Sequence, residues 1–202
     1  MPWSARPSPP FALYPTLLSQ PTLEDTMHIS MSSTALATSR RMLANLRHIL
    51  DLGEAHAAAR KFDPLVLTGD RLAPDMFPLR RQVQIACDAV KNGLARISGV
   101  EAPKFEDSET SFAELKDRID RTLAFIDTVP AERLDGTEDK AITFPSGRDA
   151  TRTLNGFDYL TSWMLPNLFF HVTTAYNILR HNGVDVGKGD YLLGSAARGP
   201  KG

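Results

Sequence analysis

The sequence predicts an all-α protein, a four-helix bundle with a short β-hairpin before its last helix. Three amphipathic stretches carry apolar residues at intervals of three and four, the spacing that gathers one face of a helix. A fourth stretch, Pro166 to Tyr191, opens with Leu168, Phe169, Phe170, Val172, Ala175, Tyr176, Ile178 and Leu179, apolar nearly all round, as for a helix packed on several sides. Long excursions follow the first three helices, which suggests a bundle with a nonstandard order of directions.

The first helix is expected from about Ser32 to Ala59, with Leu36, Leu43, Leu46, Leu50 and Ala57 on its seam and Gly53 weakening its end. A second begins after Pro74-Asp75, with Asp75 as cap, and turns Leu79, Val83, Ala86, Val90, Leu94 and Ile97 to one side before Gly99 and Pro103. The third has the clearest start. Ser111 followed by Glu114 is a capping box, Phe112, Leu115, Ile119, Leu123 and Ile126 face inward, and Pro130 stops it. Ala141–Phe144 and Thr151–Leu154 flank Pro145-Ser146-Gly147 as a hairpin. The last helix has a short turn before Pro166 and ends near Asn182-Gly183, where glycine supplies a left-handed cap.

Residues 1–26 differ in composition, with prolines at 2, 7, 9, 10, 15 and 21, and are expected to be a disordered, dispensable arm. Met27 and Met31 stand where the folded pattern begins. The expected organisation is therefore arm, one bundle domain over 27–194, and a flexible tail over 195–202. The 202-residue chain is long enough to bury about 70% of its unfolded surface in one core. With 23 basic and 24 acidic residues the net charge is −1, so no global field points to nucleic acid or an anionic membrane. No apolar run approaches the ~18 residues of a spanning helix. One cysteine, Cys87, excludes an internal disulfide and fits a cytoplasmic setting.

Candidate chemistry centres on polar residues at helical spacing. Asn167, His171 and Thr174 line up at i, i+4 and i+7 on the last helix. Arg81, Gln84, Asp88 and Lys91 make a stripe on the second, readable as a solvated face or as one wall of a polar cleft. In the cleft reading Asp88 meets His171 across the bundle. His171 and Asp88 are then the candidate catalytic pair, with Gln84, Asn167, Thr174 and Tyr176 as binding residues. A satisfied core histidine is the competing role for His171. His48 and His56 are expected on a solvated face, and His181 at a helix C-terminus, where a cationic ring suits the dipole. Gly183–Asp190 lacks the P-loop pattern and reads as a turn. Cys87 precedes Asp88, whose charge raises a thiol pKa, so a nucleophile is not expected there. Trp163 and Met164 read as core plugs or interface anchors.

The phrases RLAPDMFPLRRQVQIACDAVK, SFAELKDRI and LPNLFFHVTTAYNILRHNGVDVGKGDYL resemble an uncharacterised domain-of-unknown-function family among the DinB/YfiT-like helical bundles. The resemblance spans roughly Met27 to Leu193. It implies a four-helix bundle, commonly a homodimer, in a superfamily with metal-binding members and thiol-dependent transferases, and no settled activity for this branch. The superfamily's metal site takes one histidine from the second helix and an H-x-x-x-H pair from the last, a set suited to zinc or nickel. His171 matches the first of the pair, but Ala175 stands at the second and Gln84 lies about where the helix-two histidine would be sought. The expectation is therefore no metal and no cofactor. An unidentified small molecule and a second copy of the chain are the expected partners, without nucleic acid or membrane. An enzyme using His171 as acid or base, or a degenerate metal-dependent transferase, are the alternatives.

Overall fold

The structure, a computed structural model, describes residues 29–147 and 149–199. The predicted arm lies outside the described residues. Four long helices form the bundle: α1 (Met31–Arg60), α3 (Leu79–Ser98), α4 (Phe112–Asp127) and α6 (Leu165–His181). Short helices α2 (Leu65–Gly69), α5 (Gly156–Asp158) and α7 (Lys188–Leu193) join or follow them, and β1 (Ile142–Pro145) pairs antiparallel with β2 (Thr151–Leu154). α3 and α1 each pack on both α4 and α6. The core between them includes Leu43, Leu46, Leu50, Val83, Val90, Leu94, Ile119, Leu168 and Val172, none more than 1% exposed. Burying such side chains contributes roughly 1.5–3 kcal/mol each before entropy is charged.

Local chemistry explains most boundaries. Ser30 caps α1 by accepting from the Ser33 N–H, and Lys61 closes it in a left-handed conformation. Ser111 and Glu114 form the predicted capping box of α4. Glu114 accepts from the Ser111 and Thr110 N–H groups, which draws its carboxyl down to about 2. Gly99 caps α3 at φ +74°.

Several expectations change. Asp75 caps nothing: α3 starts at Leu79 after Pro78, whose ring supplies no side-chain cap, and the chain between α1 and α3 includes the unanticipated α2. Gly53 lies inside α1 as a close-packing point, where an added Cβ would come within 3.0 Å of Leu179 and 3.2 Å of Phe112. The short turn expected before Pro166 is part of a longer helical run, with Pro166 in the first turn of α6. One helical run passes from α5 through a π-type turn, Tyr159–Met164, into α6. There the Leu165 N–H reaches back five residues to the Leu160 carbonyl, and this wider turn lets the run pass a residue that has no N–H to give.

α6 is not buried all round, since Phe169 is 36% and Phe170 58% exposed. Residues 188–193 form a helix rather than continuing the turn, and 194–198 form a 3₁₀ turn rather than a loose tail. Asp190 anchors this end, taking hydrogen bonds from Arg198 Nε (2.7 Å) and the Gly187 N–H (2.8 Å) and pairing with His48 Nε2 (2.9 Å). His48 is thus a docking residue, not part of a solvated face. Among the described residues no helix is long and apolar enough to cross a membrane.

Candidate functional site

α3 and α6 run antiparallel, because Gln82 meets His171 while Gly93 lies against Met164. Gly93 permits that approach: an added Cβ would stand 2.6 Å from Met164 Sδ. The polar groups of the two helices are sorted by height along this seam.

His171 sits at the upper level. Its Nδ1 is 2.7 Å from Gln82 Oε1, and Gln82 donates its amide N–H to the Phe77 carbonyl at 2.9 Å. Because that commits the Gln82 oxygen to accepting, the ring proton lies on Nδ1. Burial, with the Arg81 charge adding to it, pushes the His171 pKa down to about 4. The ring is neutral at pH 7 and its Nε2 makes no hydrogen bond among the described residues. The predicted partner, Asp88, is elsewhere. Six residues beyond Gln82, it stands about 9 Å further along α3 and turns to α4.

Asp88 there meets Arg118, a guanidinium with no exposed surface. Arg118 Nη2 donates to Asp88 Oδ1 at 3.0 Å, and Nη1 donates to both Glu109 oxygens at 3.0 and 3.1 Å and to the Glu106 carbonyl. Gln84 donates to Glu109 Oε2 at 3.0 Å, and Lys91 Nζ is 3.1 Å from Asp88 Oδ1. Gln84 and Lys91 are 3% and 6% exposed, while the Asp88 and Arg81 side chains keep 28% and 35% of their surface, so the predicted stripe is buried at two positions and reaches solvent at the other two. It is an ion network centred on the buried Arg118 that ties the segment before α4 to α3. Burial opposes the Arg118 charge, but Glu109 and Asp88 raise its pKa overall.

Below His171, Asp88 and Asn167 line one cleft with Asn92, Arg96, Tyr159 and Trp163. Its volume is about 160 Å³. Asn167 donates to the Trp163 carbonyl at 2.7 Å and Arg96 donates to the Tyr159 hydroxyl at 2.9 Å. The π-type turn places Tyr159 and Trp163 here, with Trp163 also packed 4.7 Å from the Phe144 ring of β1. The remaining predicted residues go elsewhere. Thr174 bonds the Phe170 carbonyl of its own helix at 2.8 Å. Tyr176 borders a separate cavity with Tyr191, the two rings 6.3 Å apart. Cys87 is fully buried and its thiol is pushed up to about 12, mainly by that burial.

The superfamily's metal does not fit these residues. His171 faces the amide of Gln82, two positions before the expected Gln84, and Ala175 offers no ligand. Among the described residues no three His, Cys, Asp or Glu side chains gather where they could hold an ion.

Sequence reasoning missed Gln82, Asn92, Arg96, Tyr159 and Arg118. Arg118 left one signal, an arginine beside Leu115, Ile119 and Thr122 on the inward stripe of α4. Asn92 and Arg96 continue Asp88 at four-residue steps, a row visible in the sequence once Asp88 is chosen.

Comparison with known proteins agrees with this architecture. No curated protein matches the chain. A solved structure of a DinB family member protein from Shewanella denitrificans is 44% identical in sequence, with a TM-score of 0.73 over 80% of this chain and 90% of that one. Residues 31–192 match the family model described as Domain of unknown function (DUF1993). With the bundle and that match together, the chain belongs to the DUF1993 family, a family of DinB-like helical bundles.

Proposed function

We propose that this protein is a metal-independent small-molecule-binding module whose site is the cleft between α3 and the helical run that ends in α6. The observation that carries the reading is Asp88. Both cations that reach it fall on Oδ1, so Oδ2 has no hydrogen bond among the described residues, and the side chain borders the cleft. A carboxylate oxygen whose partner oxygen is held by two cations, and which has no protein partner among the described residues, is oriented to accept from a ligand. Asn167 adds another, since one Nδ2–H goes to the Trp163 carbonyl while its Oδ1 makes no hydrogen bond among the described residues.

The state of His171 favours binding over acid–base catalysis. A conjugate acid near 4 makes a poor general base at neutral pH, where the useful range lies near 7. Its orienting partner is a neutral amide, which gives an imidazolium none of the support a carboxylate would. The exposed Phe169 and Phe170 on α6 support assembly as a homodimer through that face.

Fragment screening by ligand-observed NMR tests the reading, on chelator-treated protein and on an Asn167→Ala variant. Hits that survive chelation and vanish in the variant are expected. Hits that need added zinc or nickel, or that are indifferent to Asn167, would sink it.

A further inference from the structure

Asp88, Asn92 and Arg96 follow one another at four-residue steps on α3 and all border the cleft. They form a row about 12 Å long between the outer Cα atoms. Its two ends differ in charge. At one end Asp88 Oδ1 already takes Arg118 and Lys91, at 3.0 and 3.1 Å. A third cation there would be repelled by the first two, whereas a neutral hydroxyl can donate to Oδ2 without that penalty. At the other end Arg96 gives one N–H to the Tyr159 hydroxyl and pairs with no carboxylate among the described residues. A guanidinium with uncommitted donors matches a carboxylate in geometry and charge.

Size narrows the class further. The cleft's 160 Å³ is well below the ~300 Å³ at which ordinary small-molecule sites begin, so its occupant has only a few carbons. Ile85, Trp163 and Met164 supply apolar wall for a short aliphatic spacer.

Resting on the cleft reading above, we infer that the ligand is a short hydroxycarboxylate, its carboxylate on Arg96 and its hydroxyl donating to Asp88 Oδ2. Isothermal titration of the full chain with 4-hydroxybutyrate, butyrate, 1,4-butanediol and 4-aminobutyrate tests this. 4-Hydroxybutyrate is expected to bind, with butyrate and butanediol each about tenfold weaker or worse, the factor one charge-assisted hydrogen bond provides. Arg96→Gln should reduce 4-hydroxybutyrate to the level of butanediol, and Asn92→Leu should abolish binding of all four. These two side chains are half-buried and lie outside the Arg118 network, which makes them safer variants than Asp88→Asn. Tighter binding of 4-aminobutyrate that Asn92→Leu still abolishes overturns the hydroxycarboxylate and leaves the cleft standing. Equal affinity of native protein and Arg96→Gln for 4-hydroxybutyrate, or no heat at millimolar probe, overturns the assignment; the Asn167→Ala screen then judges the cleft separately.

Discussion

His171 donates its Nδ1–H to Gln82 Oε1 across 2.7 Å, and Gln82 in turn donates its amide N–H to the Phe77 carbonyl. This relay gives the histidine that dominates the sequence a fixed tautomer, and it joins α6 to α3 and to the chain entering α3.

Acid should weaken the fold through this residue. The folded pKa of about 4 lies below the ordinary 6.5, so between those values the unfolded chain binds more protons. Stability contributed by neutral His171 is complete above about pH 6.5, declines as pH falls, and is gone below about 4. At about 1.4 kcal/mol per unit its ceiling is on the order of 3 kcal/mol. Urea unfolding of native protein and His171→Gln from pH 7 to 4 should show the gap between them shrinking with acid. A gap that does not change with pH would contradict a buried neutral ring. Gln82→Leu should cost about 1–3 kcal/mol, the penalty for stranding a buried donor.

The Arg118 network should behave as a unit. Arg118→Ala leaves the carboxylate of Glu109, 6% exposed, without its main partner and should cost about 3–5 kcal/mol. A double variant, Arg118→Leu with Glu109→Leu, should lose less than the two single changes added together. Additive losses in denaturant midpoints would show that the groups are not coupled.

Gly156 opens α5 where the chain has no room for a side chain. An added Cβ would stand 1.9 Å from the Thr137 carbonyl oxygen, a backbone atom that cannot swing aside. Gly156→Ala should therefore destabilise by about 1–3 kcal/mol or more, despite the better helix propensity of alanine. Thermal unfolding measures it, and an unchanged or raised Tm would refute the close approach.

Asp190 should govern the C-terminal end. Its carboxyl is held well below the usual range: burial works against this, but hydrogen bonds from Arg198, His48 and the Gly187 N–H outweigh it. A depressed carboxylate stabilises above its unfolded pKa and loses that contribution as pH falls. Asp190→Asn should cost about 1–3 kcal/mol and speed amide hydrogen exchange in α7 selectively. Uniform exchange across the chain would argue against local docking.

The sequence by itself determined the four bundle helices, the box at Ser111 and Glu114, the hairpin and the family, because each is written in local periodicity, capping chemistry or contiguous residues. It also singled out Asp88, Asn167 and His171, polar groups beside apolar stripes. Only the tertiary structure decided how they are partnered. Height along the antiparallel seam gives His171 to Gln82 and moves Asp88 down to Arg118, and neither distance follows from spacing within one helix. The π-type turn, which sets Tyr159 and Trp163 against α3, depends on how the chain passes Pro166 while packing on Gly93. The docking of α7 through His48 and Asp190 joins residues 142 apart in the chain. Pairings of this kind follow from which helix faces meet and at what level, and no local pattern carries that information.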